Sequence, residues 1–315
     1  MRARSAAGEE QDRGKSGEPA SRTPTFRHPG DGLPRRYVVK LEPTQLAPIC
    51  LAAALYARRA AVLARRGRRP PAAKLACFAA GIVVLLVALV TPIDTIGEER
   101  LFSVHMLQHV LIGDVAPFLV VLGLSGPLLR PVLAIRGVYA LRVLAHPFVA
   151  LPLWAADLAA WHVPYLYDAA LAHPVVHALE HALFFTCGAL VWSVLFSLLP
   201  GPRWFGTGPR LAYAAVMWFF SLGLSSFFLW SRHAYYAPYV RAPRMWGLSP
   251  VADQQLGGGV MLLEGSLLML GVLVWLGLRW FAEAEARQHA LETRDTDAGV
   301  AATGLGGAAP VVEGR

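Results

Sequence analysis

Charge is scarce in this sequence. Asp, Glu, Lys and Arg together make up 16% of its 315 residues, against about 25% in ordinary soluble domains. So little charge cannot cover a water-facing surface of this size, which excludes a soluble globular enzyme of the usual kind. Cysteine is scarcer still. Cys50, Cys77 and Cys187 all fall inside apolar runs and no C-x-x-C occurs. That excludes a disulfide framework and a thiolate metal site and leaves them as small apolar core residues. No adjacent His-His pair, internal repeat or inserted soluble domain is present. The first 42 residues are rich in Arg, Glu, Gly, Ser and Pro, with no apolar stretch behind the initial basic residues. They read as a disordered tail and not as a cleaved signal peptide.

What the sequence has in abundance is apolar length. Hydrophobic residues are 55% of the total, and the mean hydropathy is +0.45. Both imply a protein that crosses the bilayer several times. The net charge of +8 would suggest nucleic acid in a soluble chain. Here the basic residues sit in short loops beside apolar runs, so the partner implied is the lipid bilayer and not a nucleic acid.

Seven apolar segments approach the roughly 20 residues a bilayer core requires. They are residues 44–63, 74–91, 103–122, 145–161, 174–199, 211–230 and 255–281. The expected fold is therefore all-α, a bundle of seven transmembrane helices over 44–281, between disordered tails at 1–43 and 282–315. The first span is interrupted by Arg58 and Arg59, which can snorkel to the interface. The loops after spans one, three and five hold twelve Lys or Arg, from Arg58 to Arg210. The opposite loops hold four: Arg100, Arg232, Arg241 and Arg244. The positive-inside rule then places the N-terminus outside and the C-terminus in the cytoplasm. Nine Lys or Arg in the N-terminal tail run against that orientation.

Histidine is distributed unevenly. Apart from His28 and His289 in the tails, His105, His109, His162, His173, His177, His181 and His233 fall at the outer ends of spans, and His146 alone at the inner side. His105 and His109 lie one helical turn apart on one face, and His173, His177 and His181 repeat that spacing. Pro174 suits a first helical position, which makes His173 the cap. Two helices that each present a vertical pair of imidazoles can close a site of three or four nitrogens. Neutral imidazole suits copper, zinc, iron and nickel, and the thioethers of Met106 and Met261 near the same end favour Cu(I). Glu180, three residues after His177, is expected to fix an imidazole tautomer from behind. A bland alternative stands beside this: histidines at an interface also serve to hydrogen-bond loops or a partner.

Three more ionisable residues fall inside spans: Asp114, Asp157 and Glu264. Each is expected to face the interior with a polar partner. Asp114 lies five residues after His109 and so on a different helical face. Asp253 stands where the last span needs an N-cap. Gln254 and Gln255 complete that helix start or form a rim to the histidines. Trp161, Tyr165, Tyr167, Tyr235, Tyr236 and Tyr239 read as an interfacial aromatic belt.

Four stretches, "LFSVHMLQHVLIGDVAPFLVVLG", "WHVPYLYDAALAHPVVHALEHALFF", "YYAPYV" and "GLSPVADQQLGGGVML", resemble the CtaG family of cytochrome c oxidase assembly factors, in order and spacing, over residues 46–281. The resemblance implies an integral membrane protein needed to build haem-copper oxidases. Its motif positions fall on His105, Gln108 and His109; on His162, Tyr167 and Asp168; on His173, His177, Glu180 and His181; and on Asp253, Gln254 and Gln255. Asp114 and the "LLEGS" around Glu264 depart from the family pattern.

Together these readings give a non-catalytic assembly factor in the plasma membrane. It takes a copper ion, from a donor protein, on His105, His109, His177 and His181, and passes it to an oxidase subunit. His173 and His162 are the next ligands, and Glu180, Asp253, Gln254 and Gln108 support them. Two other classes remain open: a di-iron oxygenase-like membrane enzyme and a bis-histidine haem electron carrier.

Overall fold

The computed structural model describes residues 43–136 and 141–304. The tail expected at 1–43 lies outside those residues except for Pro43, as do residues 305–315. Every regular element among the described residues is helical. In chain order they are α1 Pro43–Arg65, α2 Ala72–Val90, α3 Pro92–Glu99, α4 Phe102–Gly123, α5 Gly126–Leu133, α6 Pro147–Trp161, α7 Pro164–Ala172, α8 Pro174–Leu195, α9 Thr207–Leu229, α10 Ala237–Arg241 and α11 Pro250–Gly304.

Six of these helices, α1, α2, α4, α8, α9 and α11, are long and apolar enough to cross a membrane. The shorter apolar helix α6 takes the place of the fourth expected span. The protein is thus a multi-pass, all-helical membrane bundle. The last helix departs from expectation. It does not stop at Phe281 but continues to Gly304, because the polar run after Phe281 contains no Pro and many strong helix formers, Ala, Glu and Arg.

Packing places α4 and α8 at the centre. Their crossing is tight: a Cβ on Gly188 would overlap the carbonyl oxygen of Gly113. Only glycine lets the two backbones approach so closely. α4 also packs along α2 and α11, and α8 along α6. α1 is peripheral, with Leu63 its only buried residue.

Within α4, residues Leu111–Val115 form a π turn, and the N–H of Ala116 reaches back five residues to the oxygen of Leu111. A widened turn accommodates one extra residue per revolution. It therefore rotates Asp114 back toward the side of His109, and the two line one cavity. Regular α geometry would turn Asp114 to a different face from His109; the π turn does not.

The short helices α3, α7 and α10 join spans at one end of the bundle, where α4, α8 and α11 begin. They form a cover over that end.

Candidate metal centre

His105 and His109 occupy the first two turns of α4, and His177 and His181 the first two turns of α8. Their ring centroids form a closed quadrilateral: 4.1 Å from His105 to His109, 5.6 Å from His109 to His181, 4.1 Å from His181 to His177 and 5.4 Å from His177 to His105. One ring nitrogen from each can be chosen so that all four lie within 4.8 Å of one another. A tetrahedral ion with metal–nitrogen bonds of 2.0–2.1 Å holds its ligands about 3.3 Å apart. Small ring rotations therefore suffice to close the set on one ion.

The start of α4 is held by its neighbours. Asp253 accepts hydrogen bonds from the backbone N–H of Phe102 (2.7 Å) and Ser103 (3.1 Å) and from the Ser103 hydroxyl (2.6 Å). Asp253 thus caps the histidine-bearing helix and not its own. The role expected of it in α11 falls to Ser249, whose hydroxyl accepts from the N–H of Ala252 at 3.2 Å. Gln108 donates to the carbonyl of Ala88 and to Asp94, which fastens α4 to the end of α2. Gln254 binds the backbone of His233 and Tyr235, and Gln255 that of Ser231. Both fix the loop leading into α10. Gln108, Gln254 and Asp253 thus support the scaffold and do not touch the rings.

Tautomers follow from a count of protons. The Tyr239 hydroxyl donates its single proton to the Gly97 carbonyl at 2.8 Å. Its oxygen is also 2.6 Å from Nδ1 of His105, so that contact is donated by the imidazole. Tyr167 lies 3.0 Å from both the Tyr239 oxygen and Nδ1 of His105. With Nδ1 protonated, Nε2 of His105 carries a free lone pair. Burial holds the phenols of Tyr167 and Tyr239 well above their ordinary pKa, so both remain protonated at physiological pH. His177 is set in the same way: its Nδ1 lies 2.9 Å from the Glu98 carboxylate, which leaves Nε2 free. The tautomer-fixing acceptor is therefore Glu98, at the end of α3, and not Glu180.

Glu180 instead belongs to the cluster. Its carboxylate is fully buried, 3.8 Å from Nε2 of His109 and 4.0 Å from Nε2 of His177. Three residues after His177 on α8, it projects inward beside the rings. Both its oxygens, both nitrogens of His109 and of His181, and Nε2 of His105 and His177 are buried and make no hydrogen bond. Leaving such a group unsatisfied costs about 1–3 kcal/mol each. Converging lone pairs with a buried carboxylate are the donor set of a cation.

Two expected ligands stand apart. His173 occupies the N-cap position of α8 without a side-chain cap hydrogen bond, and its ring is exposed, because a cap residue in extended conformation lies outside the helical register. His162, at the end of α6, is buried and gives Nδ1–H to the Leu158 carbonyl at 2.7 Å. Its ring is 6.5 Å from that of His109, adjacent to the four but not among them. The four rings are 0–6% exposed, because α3, α7 and α10 close over them. Tyr167, Tyr236 and Tyr239, expected at the interface, are buried in that cover, whereas Tyr165 and Tyr235 stay exposed. Glu98 and Tyr239 carried no spacing signal to mark them.

Fold and site together define a class: a polytopic helical membrane protein with a buried imidazole–carboxylate cluster at one end of its bundle. The chain belongs to the cytochrome c oxidase caa3 assembly factor family (Caa3_CtaG), whose model matches residues 54–283. It is also 28% identical over 261 residues to an uncharacterized protein of Mycobacterium bovis and to one of Mycobacterium tuberculosis. Each match covers 77% of this chain and 39% of the relative, so the chain spans about two fifths of their length. No solved structure matches.

Proposed function

We propose that this protein carries copper for cytochrome c oxidase assembly, binding it on His105, His109, His177 and His181 and handing it to an oxidase subunit in the same membrane. The observation that carries this reading is the convergence of four buried imidazoles whose facing nitrogens have no partner within the protein. Nitrogen donors suit copper in either oxidation state. Glu180 supplies the negative charge that offsets the cation in a low-dielectric site. Glu98 and Tyr239 engage Nδ1 of His177 and of His105 and leave Nε2 of each without a partner, so these two ligands need only small rotations when the ion arrives.

In this reading the cluster faces the outer side of the plasma membrane, as the loop charges imply, and a copper-donor protein loads it from there. No covalent chemistry is required of the chain, and the copper is cargo. Release requires a path past the cover of α3, α7 and α10 or through the cavity that His181 lines against α1 and α2. The buried Glu180 carboxylate also suits iron, which keeps the oxygenase-like alternative in view. The haem alternative fits poorly, because the rings pack on one another and on Phe184, 4.8 Å from His109, and leave no slot for a macrocycle.

The test is assembly in cells. A strain carrying His109→Ala with His177→Ala should insert the protein normally but accumulate oxidase deficient in copper, with activity partly restored by added copper salt. Full oxidase activity in that strain would remove the proposal.

A further inference from the structure

A cavity of about 60 Å³ lies beside the cluster, walled by α4, α6, α8, α9 and α11. That is room for more than one water-sized guest. His109 is one of its walls, so the cavity and the four-histidine site share that residue. Its other chemistry-bearing walls are Met106, Met261, His162, Asp157 and Glu264. The two thioethers are buried in one packed group. His162 is 7% exposed, its Nδ1 is engaged by Leu158, and its Nε2 has no partner. Oδ2 of Asp157 and Oε1 of Glu264 are likewise buried without a partner. The other oxygen of Asp157 accepts from Trp161 at 2.9 Å. Asp114, carried into the cavity by the π turn, accepts from Trp192 at 3.0 Å. π turns of this kind are frequent at functional sites.

A dry cavity in a membrane bundle is normally apolar. This one combines two thioethers, an imidazole with a free lone pair and uncompensated carboxylates. Thioether with imidazole selects a soft monovalent cation, and carboxylate balances its charge. We propose that this cavity is a second cation station, beside the cluster on the other side of His109, which takes Cu(I) on Met106, Met261 and His162 with Asp157 and Glu264 as counter-charge. An ion there lies next to His109, so the two stations form a relay through the bundle interior. The inference rests on the cluster being a metal site, and it assigns the soft-ligand end of the path to residues outside the four histidines.

The experiment titrates the detergent-purified full chain with Cu(I) under reducing, anaerobic conditions and reads stoichiometry together with X-ray absorption at the copper edge. The wild type should hold two ions per chain, with sulfur in the copper shell. Met261→Leu with Glu264→Gln conserves volume at both positions. It should hold one ion, with the sulfur contribution gone and the thermal unfolding midpoint unchanged in the metal-free protein. His105→Ala with His177→Ala should lose the other ion and keep the sulfur signal. One ion in the wild type, with nitrogen and oxygen neighbours only and unaltered in the Met261→Leu, Glu264→Gln protein, would mean that the cavity holds only water; the station would be refuted while the cluster reading stood. No ion in the wild type would overturn both. A sulfur-bound ion surviving as the sole one would uphold the station and remove the cluster.

Discussion

The Glu98 carboxylate and Nδ1 of His177 meet at 2.9 Å, across the junction between a short covering helix and a membrane-spanning one. That contact aims Nε2 of His177 at the three other imidazoles. Partners of this kind typically contribute 10–100-fold to metal affinity. Glu98→Gln keeps the shape and removes the charge, so it should weaken copper binding by about tenfold. Glu98→Ala should weaken it further. Competition against a chelator of known affinity reads both; unchanged affinity would detach Glu98 from the site.

Tyr239 performs the corresponding task for His105. Tyr239→Phe removes the acceptor at 2.6 Å and the donor to Gly97. Tyr167 remains 3.0 Å from the same Nδ1. The expected loss in copper affinity is therefore at the low end of the range, about tenfold. Tyr167→Phe, which leaves the shorter contact intact, should cost less. Calorimetry or chelator competition on the two variants gives the order, and the reverse order would contradict the proton assignment.

Asp253 ties the last span to the first turn of α4 through three hydrogen bonds. Asp253→Ala leaves two buried N–H groups and a hydroxyl without acceptors. It should destabilise the protein by about 2–4 kcal/mol, taking roughly 1–3 for each buried group left unsatisfied and some relief by water. Ser249→Ala removes an ordinary cap on an exposed bond and should cost about 1 kcal/mol. Thermal unfolding in detergent measures the difference. Equal effects would mean that Asp253 is not the buried clamp between the two helices.

Gly188 sets the spacing between α4 and α8. Gly188→Ala places a methyl group against the Gly113 carbonyl. The helices must part, at a cost of about 1–3 kcal/mol for an overpacked contact. The same movement pulls His109 from His181. The variant should therefore lose copper affinity as well as stability, although residue 188 touches no ligand. Retained affinity at reduced stability would show that the crossing does not set the ring geometry.

The all-helical membrane bundle and the four central histidines were legible in the sequence for the same reason: each is a local pattern. Apolar length marks a span, and i, i+4 spacing places His105 with His109 and His177 with His181. The pairings of the second layer were not legible. Glu98, Tyr239 and Asp253 act across gaps in the chain: Glu98 lies 79 residues from His177, Tyr239 lies 134 from its imidazole, and Asp253 lies 150 from Ser103. No periodicity records such pairings. Asp114 was misplaced because a π turn shifts the register without a marker in composition. His173 was over-read because a cap residue keeps the spacing of the helix but not its direction.

The most direct measurement is the metal content of the detergent-purified protein, wild type beside the His109→Ala, His177→Ala variant, both shown to be folded. The account predicts stoichiometric copper at the cluster of the wild type and its loss in the variant. Equal, near-zero metal in both, after loading with copper under either redox condition, would contradict it.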